Sequence, residues 1–292
     1  MVQSRVRTLG MWMAMVVAGT TAVAASAQDH APAPNGPAPV LVTVREMVKP
    51  GEEAEHAKLE AEYGAVLDAG KGSEYYLGMG AITGKQEEVF VSGYSSLEEM
   101  SDVHDYDETM MGAKLDGLEQ RHNATLAGME TTVWKLRPGL SNPDMVSLGK
   151  MRYMELTQIH VKLGHGAEFA DVVKHIKQGW MTGDPDFHYV VYQQAYGDGA
   201  DDTYLVMIAA KSLGDFDKHQ AKVGEFHKGV GEDAHKEMLE FQRSDYNSTV
   251  SNLFVFTPAM SRLPESWMTD DLSFWKPKAA VAATAKKAAA TK

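Results

Sequence analysis

The stretch VKPGEEAE, residues 48–55, recurs as VKLGHGAE at residues 161–168, an offset of 113 residues. Two further matches follow in the same order: Ser96-Leu97 recurs as Ser212-Leu213, and Pro138 with Ser141 recurs as Pro258 with Ser261. The offset grows slowly along the chain, to 116 and then to 120 residues. A unit of about a hundred residues that occurs only twice indicates a tandem duplication, because a solenoid needs at least three repeats.

Both copies show the same order of predicted elements. An apolar segment, 41–48 in the first copy and 153–161 in the second, ends at a glycine-containing turn and is typical of a strand. A helix with an apolar stripe follows, most clearly in the second copy, where the stripe is Phe169, Val172, Val173, Ile176 and Trp180. Two strands joined by a short polar turn, a second helix and a last strand complete each unit.

The order strand, helix, strand, strand, helix, strand predicts an α+β fold made of two tandem ferredoxin-like βαββαβ units. Each unit is expected to form an antiparallel sheet with both helices on one face. The first strand is apolar on both sides, with Val42 and Val44 on one side and Met47 on the other. Such a sheet needs a second cover, so we expect the antiparallel sheets of the two copies to face each other as an α+β barrel.

With this element order, and with the turn at residues 48–51 kept at 161–164, each copy resembles the dimeric α+β barrel superfamily, which includes the antibiotic-biosynthesis-monooxygenase-like domains. Leu163 replaces the proline of the first turn. The resemblance implies two facing sheets, here supplied by one chain. Members of the superfamily include cofactor-free monooxygenases, haem enzymes and proteins with no established activity, so the resemblance brings no catalytic residue with it.

The chain divides into six predicted segments: a signal peptide at 1–27, a Pro/Ala linker at 28–39, barrel repeat 1 at 40–141, barrel repeat 2 at 150–262, a C-terminal extension at 263–275 and a disordered Ala/Lys tail at 276–292. Arg5 and Arg7 precede a short apolar stretch and the small residues Ala25-Ser26-Ala27, a pattern typical of a cleaved secretory signal. We therefore expect a periplasmic or secreted protein with no integral membrane segment after cleavage.

The composition excludes several chemistries. The 292 residues include no cysteine, so disulfides, thiolate metal ligands and cysteine nucleophiles are ruled out. The formal net charge is -12, and the predicted signal peptide and tail contain basic residues but no acidic ones, so the folded part is more acidic than the whole chain. An acidic surface repels phosphate backbones, and we expect no nucleic-acid partner. A small-molecule ligand and further homo-oligomerisation remain open.

The 11 histidines do not show the spacing of a metal site. There is no H-E-x-x-H motif, and His219, His227 and His235 are eight residues apart, so their side chains do not share one face of a helix. His104, His122 and His165 lie among polar neighbours and are expected to be exposed to solvent. The spacing predicts no metal site, and no sequence motif predicts a cofactor.

Five residues are candidates for binding a ligand between the two sheets, because they lie on strands or beside aromatic residues that should face this space: Arg45, Gln158, His160, His188 and Tyr192. A cavity with a few convergent polar groups is a common ligand site. The alternative is that these are hydrogen-bonded core or rim residues.

Three functions follow as hypotheses. The first is binding of a small apolar or aromatic molecule. The second is a cofactor-free, monooxygenase-like oxidoreductase in which His160 or His188 acts as a general base. The third is haem binding, because the resemblance implies that a histidine in the cavity can serve as an axial ligand. Whether the protein is an enzyme is left open by the sequence.

Overall fold

The computed structural model describes residues 36–142, 147–199 and 202–276. Its first repeat contains β1 (Val40–Val48), α1 (Glu53–Gly70), β2 (Leu77–Ala81), β3 (Glu87–Tyr94), α2 (Leu97–Thr125) and β4 (Leu126–Leu136). Its second repeat contains β5 (Tyr153–Val161), α3 (Gly166–Gly183), β6 (Val190–Tyr196), β7 (Asp202–Ala210), α4 (Leu213–Ala221), α5 (Val223–Val230), α6 (Glu232–Ser244) and β8 (Tyr246–Phe256). Two short helices follow, α7 (Glu265–Met268) and α8 (Leu272–Trp275). The predicted signal peptide, residues 28–35 of the linker and residues 277–292 of the tail lie outside the described residues.

The eight strands close into a barrel with the order β1-β3-β2-β8-β5-β7-β6-β4. Each repeat supplies four neighbouring strands, and all the pairings are antiparallel. Two seams join the repeats: β2 pairs with β8, and β4 pairs with β6. The predicted pair of ferredoxin-like units with facing sheets is confirmed.

Alternation along the strands separates the barrel interior from the helix-covered faces. In β1, Leu41 belongs to the apolar cluster inside the barrel, and Thr43 accepts a hydrogen bond from the indole nitrogen of Trp134 at 2.9 Å. Val40 and Val42 belong to a cluster under α2 on the opposite face. The apolar character of both faces of the first strand therefore reflects two separate cores.

The recurring serines of the sequence repeat hold the two seams together. The Ser141 hydroxyl accepts a hydrogen bond from the backbone N–H of Val191 at 2.9 Å, and so links the end of repeat 1 to repeat 2. The Ser261 hydroxyl accepts one from the N–H of Gly78 at 3.0 Å, which is the reciprocal link. Both serines also donate to a carbonyl four residues earlier in the chain. The serines of the duplicated Pro-x-x-Ser pattern therefore help to close the barrel at both seams.

Two predicted elements differ from the structure. The second helix of repeat 2 is not continuous, because the chain breaks at Lys222 and again at Gly231, whose φ of 84° lies outside the helical region. The apolar pattern predicts the last strands at residues 131–136 and 253–257, but they begin at Leu126 and Tyr246, and β8 is largely exposed at its start. Polar strand residues of that kind give no alternating signal.

The C-terminal extension packs against the barrel. Trp275 is buried, and its indole nitrogen donates to the Gly149 carbonyl at 2.8 Å. The Arg152 guanidinium lies 3.8 Å from the ring centroid of Phe274 and also pairs with Asp271. None of the helices in the described part of the chain combines the length and hydropathy needed to span a bilayer.

Candidate functional site

A cavity of about 410 Å³ lies at the barrel end where β1, β2, β5 and β6 begin. Its lining is mainly apolar and includes Leu77, Met154, Met207 and Trp267. Ligand cavities of small molecules commonly have volumes of about 300–1,000 Å³ and linings of this character. Trp267 comes from the C-terminal extension, which therefore contributes one wall of the cavity.

One polar side chain of the cavity lining has a ring nitrogen without a partner among the described residues. The Nδ1 atom of His188 is buried and forms no hydrogen bond to any of those residues. The hydroxyl of Tyr189 also lacks such a partner, but the Tyr189 ring packs with Phe187 in the apolar cluster under the helices of repeat 2. Buried polar groups are normally hydrogen-bonded, so Nδ1 of His188 is suited to meet a polar group of a ligand.

The charges around the cavity are acidic. Glu99 and Asp270 belong to its lining, and no lysine or arginine lies among the described residues that form it. Tyr192 also contributes to the lining, but its hydroxyl already donates to the Ala38 carbonyl at 3.1 Å. This arrangement favours a neutral or cationic ligand over an anion.

The structure brings two of the five predicted site residues, His188 and Tyr192, into this cavity. The other three lie elsewhere. Arg45 forms an ion pair with Glu87 at 2.6 Å, with its guanidinium 6.0 Å from the Phe254 ring centroid.

Gln158 and His160 lie on β5. Gln158 is paired in register with Leu205 and Val250, and the Nδ1 atom of His160 is 3.1 Å from the Thr203 hydroxyl. Neither residue contributes to the cavity lining. The general base of the second functional hypothesis can therefore only be His188 at this site.

A second site lies outside the barrel, between β1 and the two helices of repeat 1. Glu46 of β1, His56 and Glu60 of α1, and His122 of α2 form the one group of metal-ligating side chains found among the described residues. The four ligand atoms all lie within 4.8 Å of one another. The residues are 0, 1, 2 and 8% exposed, in that order, so the expectation that His122 is exposed to solvent was wrong.

One ring nitrogen of His122 faces two carboxylates. Its Nε2 atom is 2.8 Å from Oε1 of Glu60 and 3.1 Å from Oε2 of Glu46. The Nε2 atom of His56 is 3.6 Å from the same Glu46 oxygen, and the two imidazole rings have centroids 5.0 Å apart. Two carboxylate oxygens and two Nε2 atoms therefore converge on one point.

Thr125, at the end of α2, fixes the orientation of His56. The Thr125 hydroxyl donates to the His122 carbonyl at 2.7 Å, so its oxygen is left to accept from Nδ1 of His56, 3.4 Å away. A proton on Nδ1 leaves Nε2, 3.6 Å from the Glu46 oxygen, unprotonated. This is the usual way in which an outer hydrogen bond prepares a histidine to bind a metal.

Glu88 adds to the negative potential beside this cluster. It lies opposite Glu46 in the β1–β3 register. Burial raises the pKa of Glu88 to about 7, and the charges of Glu46 and Glu60 add to the effect. One oxygen of Glu88 is buried and has no hydrogen-bond partner among the described residues.

Histidine spacing could not reveal this cluster, because its four residues come from three elements spread over 77 residues of the chain. One feature of the sequence did point to this cluster. His56 and Glu60 are four residues apart and share the buried face of α1 with Leu59, Tyr63 and Leu67, where polar residues are unexpected. At the matching positions of the second copy the chain has Phe169 and Val173.

No protein-family model matches the chain, and no significant match was found among curated proteins. Similar folds occur among solved structures. An anthrone oxidase-like protein is 12% identical, with a TM-score of 0.51 over 75% of this chain and 91% of that chain. A candidate monooxygenase from Fusobacterium nucleatum is 13% identical, with a TM-score of 0.49 over 75% of this chain and 93% of that chain.

A variant of chlorite dismutase from Candidatus Nitrospira defluvii is 11% identical, with a TM-score of 0.46 over 80% of this chain and 95% of that chain. At such identities the likeness concerns the fold and transfers no activity or residue. Together with the closed barrel of two equivalent halves, the likeness to the anthrone oxidase-like protein shows that the chain has the α+β barrel fold, with both units in one polypeptide.

Proposed function

We propose that the protein binds a small apolar or aromatic molecule that carries at least one hydrogen-bonding group, in the cavity at the barrel end. The observation that supports this most directly is the pairing of a mainly apolar lining with one buried ring nitrogen that has no partner in the described chain, Nδ1 of His188. A ligand with a hydroxyl group satisfies this atom while its apolar part fills the remaining volume.

We further propose that this binding takes place in a periplasm or outside the cell. The support is the N-terminal sequence, in which two arginines, an apolar stretch and a small-residue cleavage site occur in the order of a secretory signal. Intact-mass measurement of the exported protein should give a chain beginning at Gln28. A mass that includes residues 1–27 would contradict this location.

A second candidate function is oxidation of a phenolic molecule in the same cavity without a cofactor. It is favoured by the unpartnered Nδ1 atom of His188, which can accept a proton from a bound hydroxyl group. Molecular oxygen would then be the oxidant. Oxygen consumption in the presence of 1-naphthol, lost in His188→Ala, would support this function over binding alone.

Haem is a poor fit to the cavity. His188 provides one nitrogen that suits an axial ligand, but Glu99 and Asp270 are the only charged side chains among the described residues that line the space. Haem carries two propionates, which need cationic or other donor partners when they are bound. The acidic lining therefore opposes haem, and we derive no chemistry from it.

The experiment for the proposed function compares two probes of similar shape. We expect the full chain to bind 1-naphthol more tightly than naphthalene, because only 1-naphthol has a hydroxyl group for Nδ1 of His188. His188→Ala should weaken binding of 1-naphthol by about 10-fold, the value of one hydrogen bond of about 1.4 kcal/mol, and leave naphthalene binding nearly unchanged.

The matched control is His160→Ala, which removes an imidazole that does not line the cavity. It should bind both probes as the wild-type protein does. Equal affinity of the wild-type protein for the two probes, or no change in His188→Ala, would show that this ring nitrogen does not select a ligand.

A further inference from the structure

We infer that repeat 1 contains a binding site for one divalent first-row transition-metal ion, held by Glu46, His56, Glu60 and His122. This site lies on the helix-covered face of the sheet and is separate from the cavity of the proposed function. It also departs from the expectation drawn from histidine spacing, which concerned only histidines that are close in the sequence.

The arrangement of the ligand atoms fits a single ion. Bonds from zinc to imidazole nitrogen and carboxylate oxygen are about 2.0–2.2 Å long, so two ligands of one ion lie at most about 4.4 Å apart. The four atoms here lie within 4.8 Å of one another, and a small contraction brings them into range. Both histidines present Nε2 to the common point, and Nδ1 of His56 lies 3.4 Å from the Thr125 hydroxyl, on the far side of the ring.

The charge of a divalent ion also matches the charge of the two carboxylates. Two carboxylates buried side by side repel each other and lose their hydration, so they need a compensating positive charge. A divalent ion balances Glu46 and Glu60 and lets both imidazoles remain neutral, which is the form that binds metals.

The second repeat shows that the fold does not require polar groups at this place. By the offset of 113 residues, Glu46, His56 and Glu60 correspond to Ile159, Phe169 and Val173. These three residues belong to one apolar cluster, which Phe241 of α6 completes. A buried ionic group is often replaceable by apolar residues without loss of stability, so stability alone does not account for the polar version in repeat 1.

The ligand set restricts the metal. Two imidazoles with two carboxylates and no thiolate suit Zn²⁺, Mn²⁺ or Fe²⁺ better than Ca²⁺ or Mg²⁺, which prefer oxygen ligands alone. A cleft of about 10 Å³ between α1 and α2 reaches Glu60 and His122, with Leu59 and Leu118 among its walls. It provides an approach for the ion and room for about one water-sized ligand.

The test uses full-length protein made without a histidine tag and stripped with a chelator. Zn²⁺ is the binding probe, and Co²⁺ reports the coordination through its visible absorption. We expect the wild-type protein to bind one equivalent of each ion and its thermal midpoint to rise with added Zn²⁺. His56→Gln and His122→Gln should each weaken Zn²⁺ binding by about 100-fold or more and change the Co²⁺ spectrum.

Two further variants distinguish loss of the metal site from misfolding and from Zn²⁺ binding by other histidines. The quadruple variant Glu46→Ile, His56→Phe, Glu60→Val, His122→Phe copies the apolar cluster of repeat 2, and should fold without any response to Zn²⁺. The control His227→Gln with His235→Gln removes a histidine pair whose ring centroids are 4.4 Å apart, and should leave the tightly bound equivalent in place.

The inference is overturned if wild-type protein binds no more Zn²⁺ than the quadruple variant does. It is also overturned if the bound equivalent disappears with His227 and His235 while the cluster is intact. Either result leaves the binding of 1-naphthol in the cavity unaffected, so the two proposals fail independently.

Discussion

At the scale of single residues, Thr125 matters because its hydroxyl decides which nitrogen of His56 carries a proton. Thr125→Val keeps the shape of the side chain and removes the acceptor for Nδ1 of His56. We expect Zn²⁺ affinity to fall by about 10–100-fold, as it does when outer hydrogen bonds to metal ligands are lost. Thr125→Ser, which retains the hydroxyl, is the matched control in the same Zn²⁺ titration. Equal losses in both variants would show that packing, and not the tautomer, is responsible.

Asp184 links α3 to the broken helix of repeat 2. Its buried carboxylate accepts a hydrogen bond from Lys222 at 2.6 Å and lies 2.5 Å from Nδ1 of His219. Burial alone would raise the pKa of Asp184, but the hydrogen bonds from Lys222 and His219 outweigh it and lower the pKa below its usual value. Because the folded state holds the proton less tightly than the unfolded chain, this residue stabilises the protein above pH ~4, and the contribution is lost as the pH falls through the lowered pKa.

Asp184→Asn should therefore lower the free energy of unfolding by about 1–3 kcal/mol at pH 7 and by less below pH ~4, measured by urea denaturation. Asp171→Asn, which removes an exposed partner of Lys174, is the control and should have no measurable effect. A loss at Asp184 that is the same at both pH values would contradict the electrostatic explanation.

At the scale of elements, the two seams between the repeats depend on the serines that close each unit. Ser141→Ala and Ser261→Ala each leave a backbone N–H without its acceptor, on Val191 and on Gly78. We expect a loss of about 1–3 kcal/mol from either variant in chemical denaturation, because an unsatisfied buried donor costs its full desolvation penalty. Ser251→Ala on the exposed part of β8 should change stability far less. If only one of the two seam serines mattered, the reciprocal role of the duplicated pattern would be wrong.

The elements also show how far the sequence could predict the structure. The repeated turn, the recurring Ser-Leu pair and the alternating strands are local patterns, and they predicted the order of the units and the facing sheets. The second helix of repeat 2 breaks at Lys222 and at Gly231. The spacing of apolar residues does not predict these breaks, because neither residue belongs to the apolar stripe. Glu46 and His122 meet only after β1 and α2 pack together, and no local pattern joins residues that distant. Comparing the two copies position by position would have singled out His56 and Glu60, since their counterparts are apolar.

At the scale of the whole molecule, two units with one fold have acquired different interiors. In repeat 2 the space between the sheet and the helices is filled by aromatic and aliphatic side chains, with Phe169 and Tyr204 packed at a ring distance of 4.1 Å. In repeat 1 the corresponding space also contains an apolar cluster, with Leu59 and Phe90 among its members, but two glutamates and two histidines lie beside that cluster. The barrel end is shared, and its cavity draws residues from both repeats and from the C-terminal extension.

The contribution of the C-terminal extension can be tested through Trp267, which lines the cavity. Trp267→Ala should weaken binding of 1-naphthol and of naphthalene alike, because it removes apolar contact that both probes share. A fluorescence or calorimetric titration measures both affinities. Trp180→Ala removes a tryptophan that packs against Phe187 and Phe226 under the helices of repeat 2, and should not change either affinity in protein that remains folded. Loss of 1-naphthol binding alone in Trp267→Ala would contradict an apolar role for the extension.

The difference between the two repeats is tested most directly by anomalous diffraction at the zinc edge from crystals of the full chain grown with one equivalent of Zn²⁺. We expect one strong peak in repeat 1, within bonding distance of Glu46, His56, Glu60 and His122, and none among the apolar side chains around Phe169. A map with no peak between those four residues, or with its strongest peak at His227 and His235, would contradict the assignment of a metal site to repeat 1.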